Sequence, residues 1–104
     1  MITYTVEVYE DGSEEWSNKA GELHREGDKP AVIYADGSQW FYKNGKLHRE
    51  GDKPALIHPN GYQAFFKNGK EYFPNKKHTV VLDGKEVEIS DKSFKALKEL
   101  FGKE

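Results

Sequence analysis

Leu23–Ala31 reads LHREGDKPA, and Leu47–Ala55 reads LHREGDKPA again. Nine residues recur without a change at a period of 24, so the chain is read first as a repeat. Working outward, Ala31–Lys46 (AVIYADGSQWFYKNGK) lies over Ala55–Lys70 (ALIHPNGYQAFFKNGK) at the same shift. Asp36-Gly37 falls on Asn60-Gly61, Phe41 on Phe65, and Lys43-Asn44-Gly45-Lys46 on Lys67-Asn68-Gly69-Lys70. A degenerate earlier copy places Asp11-Gly12-Ser13 over Asp36-Gly37-Ser38 and Trp16 over Phe41 at a shift of 25. One extra residue in Asn18–Gly21 (NKAG) restores the shift to 24. About two and a half copies fill residues 4–73.

Each copy reads as strand, tight turn, strand, tight turn, short strand. The turn pairs are Asp-Gly and Asn-Gly, residues that tolerate the positive φ of a type I′ hairpin. Between them run Val32-Ile33-Tyr34, Trp40-Phe41-Tyr42, Leu56-Ile57 and Phe65-Phe66, β-branched and aromatic side chains that suit a pleated surface. The expected product is a meandering antiparallel sheet of tandem β-hairpins. Two-residue turns set Ala35 opposite Ser38, Ile33 opposite Trp40 and Val32 opposite Phe41, with Tyr42 opposite Leu47. One face then carries Val32, Tyr34, Phe41 and His48; the other carries Ile33, Trp40, Tyr42 and Leu47. Both are partly apolar, so one face needs a cover.

The C-terminal third supplies it. Residues 78–89 read as a further hairpin around Asp83-Gly84, and residues 90–101 as a helix. Ser90 suits the N-cap and Asp91 the positive end of the helix dipole. Phe94, Leu97, Leu100 and Phe101 form one apolar stripe, and Gly102 is the expected terminator. The expected fold is therefore mainly β: a single domain over 1–104, with repeats at 4–73, a C-terminal hairpin at 78–89 and one helix at 90–101 packed on the sheet.

The chain has 104 residues, 36% hydrophobic and 33% charged, with 13% aromatic side chains that argue against disorder. Eighteen acids against sixteen bases give a net charge of −2, neither the basic patch of a nucleic-acid binder nor the acidic excess of a DNA mimic. The absence of cysteine removes disulfides and thiolate metal sites. The first residues lack the pattern of a signal peptide, and no apolar run reaches the length of a membrane span. These features lead to the expectation of a cytoplasmic protein without a cofactor.

At the tandem motif in which DGS leads to an aromatic strand and then to NGKLHRE, the sequence resembles the MORN-like repeat proteins. More narrowly, it resembles the bacterial and bacteriophage subgroup whose units read NGKLHREDGPA. The likeness spans about residues 6–73. It departs where HRE is followed by GDKPA, one residue longer than DGPA, and where the third copy has Glu71-Tyr72-Phe73-Pro74 in place of LHRE. The resemblance implies a row of hairpins used as a binding or scaffolding surface rather than an enzyme. In that subgroup, small proteins of phages and mobile elements are common, and they often act by binding and blocking a host component. It thus implies an anti-CRISPR-like or other anti-defence inhibitor whose partner is a bacterial defence complex.

The chemistry-bearing residues admit other readings. His24, Glu26 and Asp28, like His48, Glu50 and Asp52, share one face if extended, and imidazole with carboxylate suits zinc or manganese. The same histidines paired with Glu26 or Glu50 could serve a small hydrolase. Against both, active sites gather unlike residues from distant segments, whereas these sets are identical copies at the scaffold period. The structural alternative makes each HREGDKPA a link, with His, Arg and Glu paired across strands or between repeats. Nucleic-acid stacking on sheet aromatics beside Lys43, Lys46, Lys67 and Lys70 is a weaker alternative, opposed by the acids of HREGD. The acidic balance gives no attraction to anionic lipid. Trp16, Trp40, Tyr42, Tyr62 and Phe66 are the candidate partner-binding residues, because large rigid rings with a polar handle dominate interface hot spots. The Met1–Val8 edge strand offers a route to a homodimer.

Overall fold

The computed structural model describes residues 2–74 and 76–101 of the chain. Its residues cluster into two compact units, Met1–Tyr72 and Phe73–Glu104.

The first unit holds the repeats. Strands β1 (Thr5–Val8), β2 (Glu14–Ser17), β3 (Val32–Ile33), β4 (Gln39–Trp40), β5 (Tyr42–Lys43), β6 (Lys46–Leu47), β7 (Leu56–Ile57), β8 (Gln63–Lys67) and β9 (Lys70–Tyr72) follow in order. Seven of them form one antiparallel meander, β1-β2-β3-β4-β7-β8-β9, while β5 and β6 make a separate two-stranded ribbon. The chain changes sheets at Phe41, between β4 and β5. In the last copy the equivalent residues run on as the single strand β8.

The two kinds of turn are built differently. At Asn44-Gly45 both residues have positive φ (49° and 83°), and Lys43 pairs with Lys46 and Tyr42 with Leu47: the expected two-residue hairpin. Asn68-Gly69 and Asp83-Gly84 repeat it. At Asp36-Gly37 only Gly37 is left-handed, at φ 93°. The Tyr34 N–H donates to the Ser38 carbonyl (3.0 Å) and the Gly37 N–H to the Tyr34 carbonyl (2.9 Å), which closes a three-residue loop. The Asp36 carboxylate accepts from the Ser38 N–H at 2.8 Å, the local bond that favours this loop. Asp11 and Asn60 do the same for Ser13 and Tyr62.

That choice moves the register by one residue. Val32 pairs with Trp40 and Ile33 with Gln39, in place of the expected Ile33–Trp40 pair. Since a one-residue slip exchanges faces, Trp40 stands with Val32 and Tyr34 rather than with Ile33. The Tyr34 and Trp40 rings meet edge to face at 5.6 Å. Ala31, Val32, Ala55, Leu56, Ala64 and Phe41 form the buried apolar core, with Ala31 and Ala55 at equivalent repeat positions. This core is thin, and it is completed by buried Ser13, His24, Ser38 and His48.

The second unit is a hairpin of β10 (Lys77–Leu82) and β11 (Lys85–Ser90) followed by helix α1 (Asp91–Phe101), which lies against that hairpin. The Ser90 hydroxyl accepts from the Ser93 N–H at 3.1 Å, the expected N-cap. Asp91 Oδ1 meets His78 Nε2 at 2.7 Å, and the His78 ring stacks on Phe94 at 3.9 Å. The His78 bond is the first cause, and Lys95 the second, of an Asp91 carboxyl held below the ordinary carboxylate value. Phe94 and Leu97 are half-buried, but Leu100 is 73% exposed, so the apolar stripe ends sooner than expected. Met1, Gly102 and the Phe101 side chain lie outside the described residues. No helix among the described residues is long and apolar enough to cross a membrane.

The three-residue loops yield a backbone test. Gly61 has φ 94° and open space where a Cβ would stand. Gly61→Ala is expected to lower unfolding free energy by about 1–2 kcal/mol through conformation alone, read by urea denaturation. An unchanged midpoint would contradict the left-handed loop residue.

Candidate interaction site

The duplicated nonamer is a fastening between repeats. His24 Nδ1 accepts a hydrogen bond from the backbone N–H of Asn44 at 2.9 Å, and the adjacent Gly45 N–H donates to the Leu23 carbonyl at 2.8 Å. One period on, His48 Nδ1 accepts from the Asn68 N–H at 3.0 Å and the Leu47 carbonyl from the Gly69 N–H at 2.8 Å. An accepting Nδ1 leaves the ring proton on Nε2. That nitrogen faces Glu26 at 2.9 Å in the first loop and Glu50 at 2.8 Å in the second. The His48 bond is the main cause of a Glu50 carboxyl held below its ordinary value. Each turn thus spends its two inward N–H groups on the preceding repeat.

The arginines cover the neighbouring rings. The Arg25 guanidinium lies 3.7 Å over the Trp16 ring, and that of Arg49 lies 3.8 Å over Phe41. Each arginine also donates to a proline carbonyl that closes its own loop, Pro30 at 3.2 Å and Pro54 at 3.0 Å. Asp28 links the two loops. Its carboxylate meets Arg49 Nε at 2.8 Å and Lys53 Nζ at 2.9 Å, and these two cations, Arg49 first, hold it at about 2, below the ordinary 3.8. A cleft of about 320 Å³ lies between the loops, its lining including His24, Asp28, Tyr42, His48 and Arg49. At the end of the array Tyr72 takes the repeat position of His48, and its hydroxyl donates to Asp52 at 3.1 Å. At the start, the Tyr4 hydroxyl accepts from the Glu26 N–H at 2.8 Å.

Both nitrogens of His24 and of His48 therefore have partners within the chain, and each glutamate is engaged by its own histidine. Among the described residues no three His, Cys, Asp or Glu side chains are grouped to hold a metal ion. What this arrangement does is orient and fasten.

The aromatic candidates fall in two settings. Trp16 is half-buried, held between Arg25 and the edge of Tyr4 at 5.2 Å. Phe66 is half-buried, and its carbonyl accepts from the Arg49 N–H at 3.3 Å. Trp40 and Tyr62 join a surface row: Tyr34 to Trp40 at 5.6 Å, Trp40 to His58 at 6.5 Å, His58 to Tyr62 at 5.5 Å. Tyr34 is 43% exposed and Tyr62 55%. Tyr42 belongs to the same face; burial pushes its phenol up, helped by nearby Tyr34 and Glu15. Tyr34 and His58 were not singled out from sequence, although they occupy one column of the repeat. At the start of that column, the Tyr9 hydroxyl lies within hydrogen-bonding reach of both Glu15 and Glu7, and these two carboxylates push its phenol well up.

No family model, no curated protein and no solved structure matches this chain.

Two outcomes follow for the fastening. His48→Ala strands the Asn68 N–H and opens a gap, and is expected to cost about 2–4 kcal/mol, whereas Glu50→Gln is expected to leave the unfolding midpoint nearly unchanged because Glu50 is exposed. Equal losses in urea titrations would contradict the imidazole's central role. For Asp28, a carboxyl lowered on folding stabilises at pH above 3.8, and the contribution fades as pH falls toward about 2. Asp28→Asn is therefore expected to be less stable than wild type near neutrality, by under about 1 kcal/mol given solvent screening, and equal to it in strong acid. A difference that persists at acid pH counts against the bridge.

Proposed function

We propose that the chain is a non-enzymatic protein-binding module whose contact surface is the ring row Tyr34, Trp40, His58 and Tyr62. The observation that carries this reading is the exposure of Tyr34 and Tyr62 at the two ends of a row of rings spaced 5.5–6.5 Å apart on a hydrogen-bonded sheet, with Trp40 and His58 half-buried between them. Rings already held in place lose little freedom on contact, so more of their burial appears as affinity. The repeated polar residues are engaged in joining the repeats, which leaves this face as the part with surface to spare. The resemblance to phage and mobile-element repeat proteins supports a component of a bacterial defence system as the partner, with inhibition by occupancy as the mechanism and the cytoplasm as the place.

The test is a quantitative pull-down from bacterial lysate with tagged wild type and with the double variant Tyr34→Ala/Tyr62→Ala. Hot-spot rings lost from an interface weaken it by roughly tenfold or more, so the specific partner is expected to fall by that factor with circular dichroism unchanged. Equal recovery by both baits would refute the surface. A specific partner outside the defence machinery would refute the inhibitor reading.

A further inference from the structure

The hairpins that carry the ring row hold acids but no Lys or Arg. The three strand-turn-strand segments 5–17, 32–42 and 56–66 contain Glu7, Glu10, Asp11, Glu14, Glu15 and Asp36, and not one of the chain's sixteen Lys and Arg residues. Every Lys and Arg lies outside these three hairpins, and the one imidazole within them is His58. Among the described residues none of the six carboxylates pairs with a cation; the ion pairs found lie in the nonamer loops and in the second unit.

Strand register places two of the carboxylates on the same sheet face as the rings, Glu15 opposite Val32 and Val32 opposite Trp40. Glu7 pairs with Glu15 across β1 and β2, as Val32 pairs with Trp40 across β3 and β4. Tyr9, Glu7 and Glu15 thus occupy, in the first copy, the positions of Tyr34, Val32 and Trp40 in the second. The Tyr9 hydroxyl lies within hydrogen-bonding reach of both glutamates, and Glu15 is near enough to Tyr42 to help raise its phenol. The turns at the end of this face add Asp11 and Asp36, whose side chains are held below their ordinary values by bonds with Ser13 and Ser38. Electron-rich ring faces and carboxylates without a cation on one sheet face attract the same ligand charge.

We propose, building on the binding reading above, that the partner presents an arginine-rich extended segment to this face. A guanidinium fits both elements, since it stacks flat on a ring and bonds a carboxylate with its donor fork, which an ammonium does not do. The chain itself uses the stacking half of this arrangement twice, Arg25 on Trp16 and Arg49 on Phe41.

The experiment uses the whole chain and fluorescein-labelled decapeptides of alternating Gly and Arg, Gly and Lys, and Gly and Glu, read by fluorescence anisotropy. The arginine peptide is expected to bind more tightly than the lysine peptide, the glutamate peptide not at all, and affinity should fall with salt. Glu7→Gln/Glu15→Gln and, separately, Tyr34→Ala/Tyr62→Ala should each weaken the arginine peptide roughly tenfold, with folding checked by circular dichroism. Glu86→Gln/Glu88→Gln in the second unit serves as a control and should change nothing. Equal binding of all three peptides, or equal weakening by the control, overturns the proposal. If the tyrosine pair abolishes lysate capture while the Glu7/Glu15 pair leaves it intact, the binding reading stands and the arginine preference falls. If neither pair affects capture, both fall.

Discussion

A hydrogen bond from a backbone N–H to an imidazole nitrogen sets the form of the repeat unit. A type I′ turn leaves its inward amides without strand partners, and packing the next repeat against them buries them at a cost unless an acceptor is supplied. The preceding repeat answers with His24 or His48, whose Nδ1 accepts one amide while the neighbouring leucine carbonyl accepts the next. Accepting at Nδ1 fixes the tautomer, the tautomer directs Nε2 to Glu26 or Glu50, and the loop that places the glutamate carries the arginine onto the adjacent ring. Leu, His, Arg, Glu, Gly and Asp are thus tied to one another, which explains why the nonamer recurs intact while Trp40 and Ala64 can differ at one position. Where the array stops, Tyr4 and Tyr72 take over polar groups at its two ends.

The hairpin turns at the other end of each repeat obey a looser rule. Ser13 accepts from the Ala35 N–H at 3.1 Å, joining the first copy to the second. In the next copy Pro59 stands where Ala35 did and has no N–H to give. Ser38 turns instead to His58 Nδ1 at 3.1 Å. Here the sequence is free to vary because the hydroxyl can choose its partner. Structural demand is concentrated at the loop end and relaxed along the ring face, a division that frees the ring face for contact chemistry.

Much of the fold is readable from one line of text. The period, the strands and the Asn44-Gly45 hairpin follow from turn residues and alternation, and the structure has them. Sequence alone gives the Asp36-Gly37 hairpin a loop one residue too short, because Asp-Gly serves both two- and three-residue turns. Pro59 carried the missing signal: proline suits the first position of a type I turn and would be out of place as a ladder donor. The link between His24 and Asn44 was not legible, since a bond from a side chain to the main chain twenty residues on leaves no pattern in composition. Nor was the His78–Asp91 pair, which arises only when the hairpin brings Lys76 back to the start of the helix. The ring row was half legible: Trp40 and Tyr62 stood out by type, whereas Tyr34 and His58 required the register.

Because each fastening spans one period and no more, the array has no feature that counts its own copies. Removing or inserting a complete 24-residue block would leave each surviving junction with the same amide, the same imidazole and the same carbonyl. Length is therefore the trait this architecture constrains least, and the reach of the ring row changes with it in whole steps.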